Sequence, residues 1–126
     1  MLFKGGLNAV DAQFYAEVCA FLDDNLDPAI TAAEDVQRSM VADYHRGTAW
    51  INTLRPRRWH AAHWPEAHGG AGLSAMQNYC LLYEMGVRGA PLAPPMGLNY
   101  VGPVLIEFGH AEQHARLLPR VLDGSD

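Results

Sequence analysis

The sequence is short of several things, and each shortage removes a class of function. It has two cysteines in 126 residues, Cys19 and Cys80, far apart and each inside a helical pattern. That excludes a disulfide-built scaffold and reads as two buried thiols in a reducing cytosol. No apolar run approaches the roughly 20 residues that span a bilayer. The N-terminus, Met-Leu-Phe-Lys-Gly-Gly, lacks the apolar core of a signal peptide, and the expected compartment is the cytoplasm. Basic charge is scarce too: 9 Lys and Arg against 14 Asp and Glu give a formal charge of −5. A nucleic-acid partner, whose phosphates demand a basic face, is therefore disfavoured. Alternating strand patterns are also missing. The length suits one domain over residues 1–126, and such a domain buries roughly two-thirds of its unfolded surface.

What remains is a series of helix signals. Asn8 reads as an N-cap, with Asp11 three residues on in the manner of a capping box. Val10, Phe14, Val18, Phe21 and Leu22 follow at helical spacing as one apolar stripe. Asp27-Pro28 predicts an N-cap and first position of a second helix running to about Arg38. The stretch Ser39 to Gly47 fits either a helix or a loop. Thr48 is the expected cap of a short helix carrying Trp50, Ile51 and Leu54, which Pro56 ends or kinks.

Ser74 with Gln77 is a capping box opening the clearest helix, whose stripe of Met76, Tyr79, Cys80, Tyr83, Met85 and Val87 reads as core. Residues 90–95 form a proline-rich, extended connection. Leu98, Val101, Leu105 and Phe108 predict a further helix, with a kink or a fresh start near Gly102-Pro103. His110 is the expected cap of the last helix. Its apolar face is Leu117, Leu118, Val121 and Leu122, Pro119 predicts that it is short or bent, and Gly124 stops it. The fold class is all-α, with about five or six helices.

Between these helices lies Trp59 to Ser74, with two tryptophans, a proline and three glycines in sixteen residues. Loops of this length inside compact domains are usually functional or disordered, and the tryptophans argue for a packed loop. Gly69, Gly70 and Gly72 allow positive φ or close backbone approach. They are a weak phosphate signal, because the glycine register and preceding strand of a dinucleotide site are missing. Arg55, Arg57 and Arg58 read as a solvated face. His60, His63 and His68 share the loop, and His110 and His114 are one helical turn apart. No third ligand or zinc-protease glutamate accompanies them, so no metal site is expected. Glu66, Glu84, Glu107 and Glu112 are scattered and form no acid–base pair. No catalytic residue emerges from spacing.

Trp59, then Trp64-Pro65-Glu66-Ala67-His68-Gly69-Gly70-Ala71-Gly72-Leu73-Ser74, resembles the corresponding loop in the N-terminal domain of the acyl-CoA dehydrogenase family. The likeness continues through Gln77, Glu84, Pro91, Gly102-Pro103, Gly109, Glu112-Gln113, Leu118-Pro119 and Gly124, and weakens before about Trp50. There are departures: Arg58 stands where the family usually has glycine, His68 where tyrosine is common, and His110 where threonine or serine is more frequent.

The resemblance implies an orthogonal helical bundle, the N-terminal part of a three-domain FAD-dependent oxidoreductase of lipid metabolism. A middle β-domain and a C-terminal helical bundle with the glutamate base lie outside these residues. The complete enzyme would oxidise an acyl-CoA at its α,β-carbons, and this segment would shape the acyl pocket without being active alone. By the same resemblance Met96, Asn99, Tyr100 and Pro103 line the acyl pocket. The expected partners are the acyl-CoA substrate and the other domains or a partner subunit, in a homo- or hetero-oligomer. The competing reading is a stand-alone helical module that pairs with another chain through faces left open.

Overall fold

A computed structural model describes residues 6–31, 44–92 and 95–125. Among these, five α-helices and no strand are present: α1 (Ala9–Asn25), α2 (Tyr44–Leu54), α3 (Ala75–Val87), α4 (Gly102–Phe108) and α5 (Ala111–Asp123). The all-α expectation holds.

Local signals set most of the helix ends. Asn8 Oδ1 accepts from the Asp11 amide at 2.8 Å and starts α1. At α3 the capping box closes in both directions, Gln77 N to Ser74 Oγ at 3.2 Å and Ser74 N to Gln77 Oε1 at 3.1 Å. His110 is the N-cap of α5, its amide donating to Gln113 Oε1 at 3.0 Å, and Gly124 ends that helix with φ +78°. Two boundaries differ from expectation. Thr48 is interior to α2, whose described residues already begin at Tyr44. Pro119 does not shorten α5, which runs through it for 13 residues. Asp27 caps a turn, accepting from the Ala29 amide at 2.8 Å; the rest of the helix expected there, and Met40 and Val41, fall outside the described residues.

Two cores share the Trp59–Ser74 loop as their common wall. Val18, Phe21 and Leu22 of α1, Trp50 and Leu54 of α2, and Leu81 of α3 close around Trp59 and Ala62. On the other side Leu98, Leu118 and Val121 close around Trp64 and Ala61. Each tryptophan therefore anchors a different core. Trp59 meets Phe21 edge-on at 4.9 Å, and the Arg57 guanidinium lies over both rings at 5.0 and 5.2 Å. Arg55 donates to Leu122 O at 2.9 Å, tying the end of α2 to α5. Two of the three arginines thus hold structure rather than only solvating a face.

The expected stripe on α3 holds in part: Cys80 is buried and Met85 packs against the core, but Leu81 and Glu84 complete the buried face while Met76, Tyr79 and Val87 are exposed. Val10 of α1 and Val101 and Phe108 of the later helix are exposed as well. Glu84 is held by the Tyr15 hydroxyl, which donates to Oε1, and by Arg88 Nε, which donates to Oε2 at 3.1 Å. Arg88 also pairs with Asp23. This clasp joins α1 to α3, and the Glu84 bond raises the Tyr15 phenol's pKa. Cys19 and Cys80 are free thiols, and burial pushes Cys80 up.

Candidate functional site

The segment before α4 departs from α-helical winding. Met96–Val101 is a π-helix, in which the Gly102 amide reaches back to Gly97 O. Such wide turns are rare and occur frequently at functional sites. Trp64 holds this one from below. Its Nε1 donates to Leu98 O at 2.8 Å, and its ring lies close against Gly102. A methyl group on Gly102 would overlap Trp64 Cζ2 and come within 2.6 Å of Cη2. The glycine is required by contact with the indole, since its φ of −57° is ordinary.

With Leu98 turned in, the neighbouring side chains turn out. Met96 is 64% exposed and Tyr100 58%; Asn99 is exposed and Pro103 half-buried. Val101, Val104 and Phe108 extend this apolar face along α4, Phe108 at 82% exposure. The four residues expected to line an acyl pocket therefore share one short segment, and all but Pro103 are largely open to solvent.

Beside this segment lies a cleft of about 320 Å³. Trp50, Ile51 and Leu54 of α2, Asn78, Leu82 and Met85 of α3, and Pro91, Leu92, Leu98 and Asn99 form its walls, with His60 and His63 from the loop. Its size is at the lower end for small-ligand pockets and its lining is mostly apolar, as such pockets are. Burial lowers the pKa of both histidines, and for His60 the nearby Arg55 charge adds to the effect. Both rings are biased toward the neutral form. The sequence pointed to Asn99 but treated Trp50 and Ile51 purely as core. Only the tertiary approach of α2 to Pro91, Leu92, Leu98 and Asn99 brings this cleft together.

The glycine run has a different use. Gly69 and Gly72 take positive φ, +90° and +61°, and Gly70 lies so close to Trp64 that a Cβ would strike its backbone. Every amide from Gly69 to Leu73 donates to a backbone carbonyl of the same loop: Glu66, Pro65, Ala61, Trp64 and Ala62 in turn. None is left to cradle a phosphate. This loop does not fit the pyrophosphate of a flavin dinucleotide, because its amide hydrogen bonds are all made within the loop, one of them to Trp64 O. Arg58, just ahead, adopts φ +58°, which explains glycine's usual presence there in the family that the loop resembles.

Among the described residues, no group of three or more His, Cys, Asp or Glu could hold a metal ion. His114 Nε2 bonds Leu105 O at 2.6 Å, and its ring meets His68 edge-on at 4.9 Å. No described helix is long and apolar enough to cross a membrane.

The described residues thus form a helical domain with two tryptophan-anchored cores and an outward apolar segment. Residues 9–125 match the family model of the acyl-CoA dehydrogenase N-terminal domain, and the chain belongs to the acyl-CoA dehydrogenase family. It is 34% identical over 115 residues to acyl-CoA dehydrogenase IpdE1 of Mycolicibacterium smegmatis, covering 88% of this chain and 29% of that protein. Acyl-CoA dehydrogenase FadE26 of Mycobacterium tuberculosis is 38% identical over 89 residues, 68% of this chain and 22% of that protein. The solved structure of the Tcur3481-Tcur3483 steroid ACAD superposes with a TM-score of 0.72 at 28% identity, over 94% of this chain and 30% of that one. The chain thus spans under a third of the length of these relatives.

Proposed function

We propose that this chain forms the N-terminal part of an acyl-CoA dehydrogenase-type flavoenzyme that oxidises an acyl-CoA thioester at its α,β-carbons. The family is FAD-dependent in general, and FAD accepts the hydride in such a reaction. The segment's own task is to shape the acyl pocket with Met96, Asn99, Tyr100 and Pro103 and to present an interface to the domains, or the partner subunit, that hold the flavin and the base. The observation that carries this is the outward apolar face formed by the π-helix Met96–Val101, which Trp64 fixes from beneath, and by α4. Exposed apolar area of this kind belongs against another surface. The mainly apolar cleft beside it suits an acyl tail.

Two measurements test the reading. Gel filtration of the chain with excess FAD is expected to leave all flavin in the small-molecule fraction; a stoichiometric flavin complex would show that the other domains are dispensable. Grafted in place of the matching segment of the M. smegmatis relative, the chain is expected to give a flavin-loaded protein. A folded graft without flavin would contradict the domain assignment. The competing reading, a stand-alone helical module that pairs through the same face, predicts instead a stable self- or partner-complex of the chain by sedimentation.

A further inference from the structure

Three aliphatic side chains stand apart from the rest of the apolar interior. Ile51 of α2, Leu82 of α3 and Leu92 all line the cleft of about 320 Å³, yet neither of the two cores includes them. Leu82 and Leu92 keep 52% and 57% of their surface exposed, and Ile51 is half-buried. Most of the other apolar walls are different in kind. Trp50, Leu54, Trp59 and Ala62 belong to the first core and Leu98 to the second, so packing behind the cleft fixes them. The three aliphatic side chains are apolar surface that stays in water until something covers it, and a group seated in the cleft does so.

The chemistry of that group follows from the lining. No Asp, Glu, Lys or Arg side chain borders the cleft. His60 and His63 do, and burial biases both rings toward the neutral form. A charged group entering here would leave water without meeting a countercharge, which is heavily disfavoured. Size follows from the volume. An apolar cavity of about 150 Å³ holds a benzene. At about 320 Å³ this cleft has room for a group of about twice that bulk, such as two fused rings.

We infer that this cleft takes an uncharged apolar group of about that bulk, and that its recognition falls to Ile51, Leu82 and Leu92. On the reading proposed above, the group is the tail of the acyl substrate. These three residues then extend the acyl pocket onto α2, α3 and the connection after it, beyond the segment that holds Met96, Asn99, Tyr100 and Pro103. Asn99 joins the two parts, since it lines the cleft and belongs to that segment.

The test uses this chain with naphthalene and 2-naphthalenesulfonate, which share a ring system and differ in charge, followed by ¹H–¹³C methyl spectra. Naphthalene is expected to shift the assigned Ile51, Leu82 and Leu92 methyls through its ring current, and the sulfonate to bind at least about tenfold more weakly. Leu82→Ala and Leu92→Ala are each expected to weaken naphthalene about threefold, the worth of roughly 30 Å² of apolar contact. Val87→Ala, on the same helix as Leu82 and exposed but outside the cleft, is expected to leave it unchanged. The wild-type methyl shifts stand even if a variant fails to fold. Equal affinity for the two probes would overturn the uncharged assignment, and alanine variants that bind as wild type would overturn the role of the leucines. No binding from a saturated naphthalene solution, or shifts at Met96 in place of the three methyls, would overturn the cleft as a ligand site. Methyl shifts that grow with protein concentration alone would give the cleft to a second copy of the chain and overturn it too. None of these outcomes involves flavin, so they stand apart from flavin loading in the graft, which tests the domain assignment.

Discussion

Alanine in place of Gly102 and of Gly86 is the same chemical change at two helical positions, yet the structure predicts opposite signs. Helix propensity alone favours alanine by about 1 kcal/mol at either site. At Gly86, in α3, a Cβ meets nothing within 4 Å, so most of that gain should appear, about 0.5–1 kcal/mol. At Gly102 the methyl overlaps the Trp64 ring. Forcing a group into a packed core costs about 1–3 kcal/mol. The displaced indole also loses its bond to Leu98 O, and leaving that buried carbonyl unmet adds about 1–3 kcal/mol. After the propensity gain, the net loss is about 1–5 kcal/mol. For a urea dependence of about 2 kcal/mol per molar, Gly102→Ala lowers the unfolding midpoint by about 0.5–2.5 M, and Gly86→Ala raises it by about 0.3–0.5 M. Equal midpoints for Gly102→Ala and wild type would refute the claim that Trp64 is seated against this backbone.

Three further outcomes are expected. Arg58→Gly relieves a left-handed residue costing about 1–2 kcal/mol and gives back part of that in chain entropy, for a net gain of about 0.5–1 kcal/mol in urea unfolding; a destabilised variant would show that the Arg58 side chain makes an interaction worth more than the strain. Glu84→Ala leaves Tyr15 and Arg88 without their shared acceptor, and thermal unfolding should register about 2–3 kcal/mol, discounted for the partial exposure of Arg88; a loss below about 0.5 kcal/mol would rule out the clasp. His60 and His63 have folded pKa values below their unfolded ones, so the unfolded chain binds more protons as pH falls through about 6.5. Their contribution is complete above that pH and is lost below it, so the melting temperature should fall between pH 7 and pH 5. A melting temperature that rises over the same interval would contradict this.

The parts legible in the sequence were those governed by near neighbours. Asn8, Ser74 with Gln77, and Gly124 act within four residues, and their caps form as expected. So did the change of winding at Gly102-Pro103, because proline restricts the residue before it and cannot donate within the helix. The face of α3 was legible only in part. That helix is apolar nearly all round, so hydrophobic spacing found Cys80 and Met85 but not Leu81 and Glu84, which the approach of α1 buries with them. Glu84 carried one usable signal, its spacing of four from Arg88. The pairing of Trp64 with Leu98 and Gly102 spans more than thirty residues, and no local rule encodes it. Tyr100 and Met96 were placed through family likeness alone; their exposure became visible only in three dimensions.

The central claim is that the outward face around Tyr100 contributes to acyl binding in a complete flavoenzyme. The most direct measurement is an anaerobic titration of the flavin-loaded graft with acyl-CoA, comparing wild type with Tyr100→Asp. The account predicts that acyl-CoA bleaches the flavin of the wild-type graft. It predicts that the Tyr100→Asp graft, with the same flavin content, requires at least about tenfold more acyl-CoA, since a charge buried against an acyl chain costs more than 1.4 kcal/mol. Identical titration curves for the two proteins would contradict it.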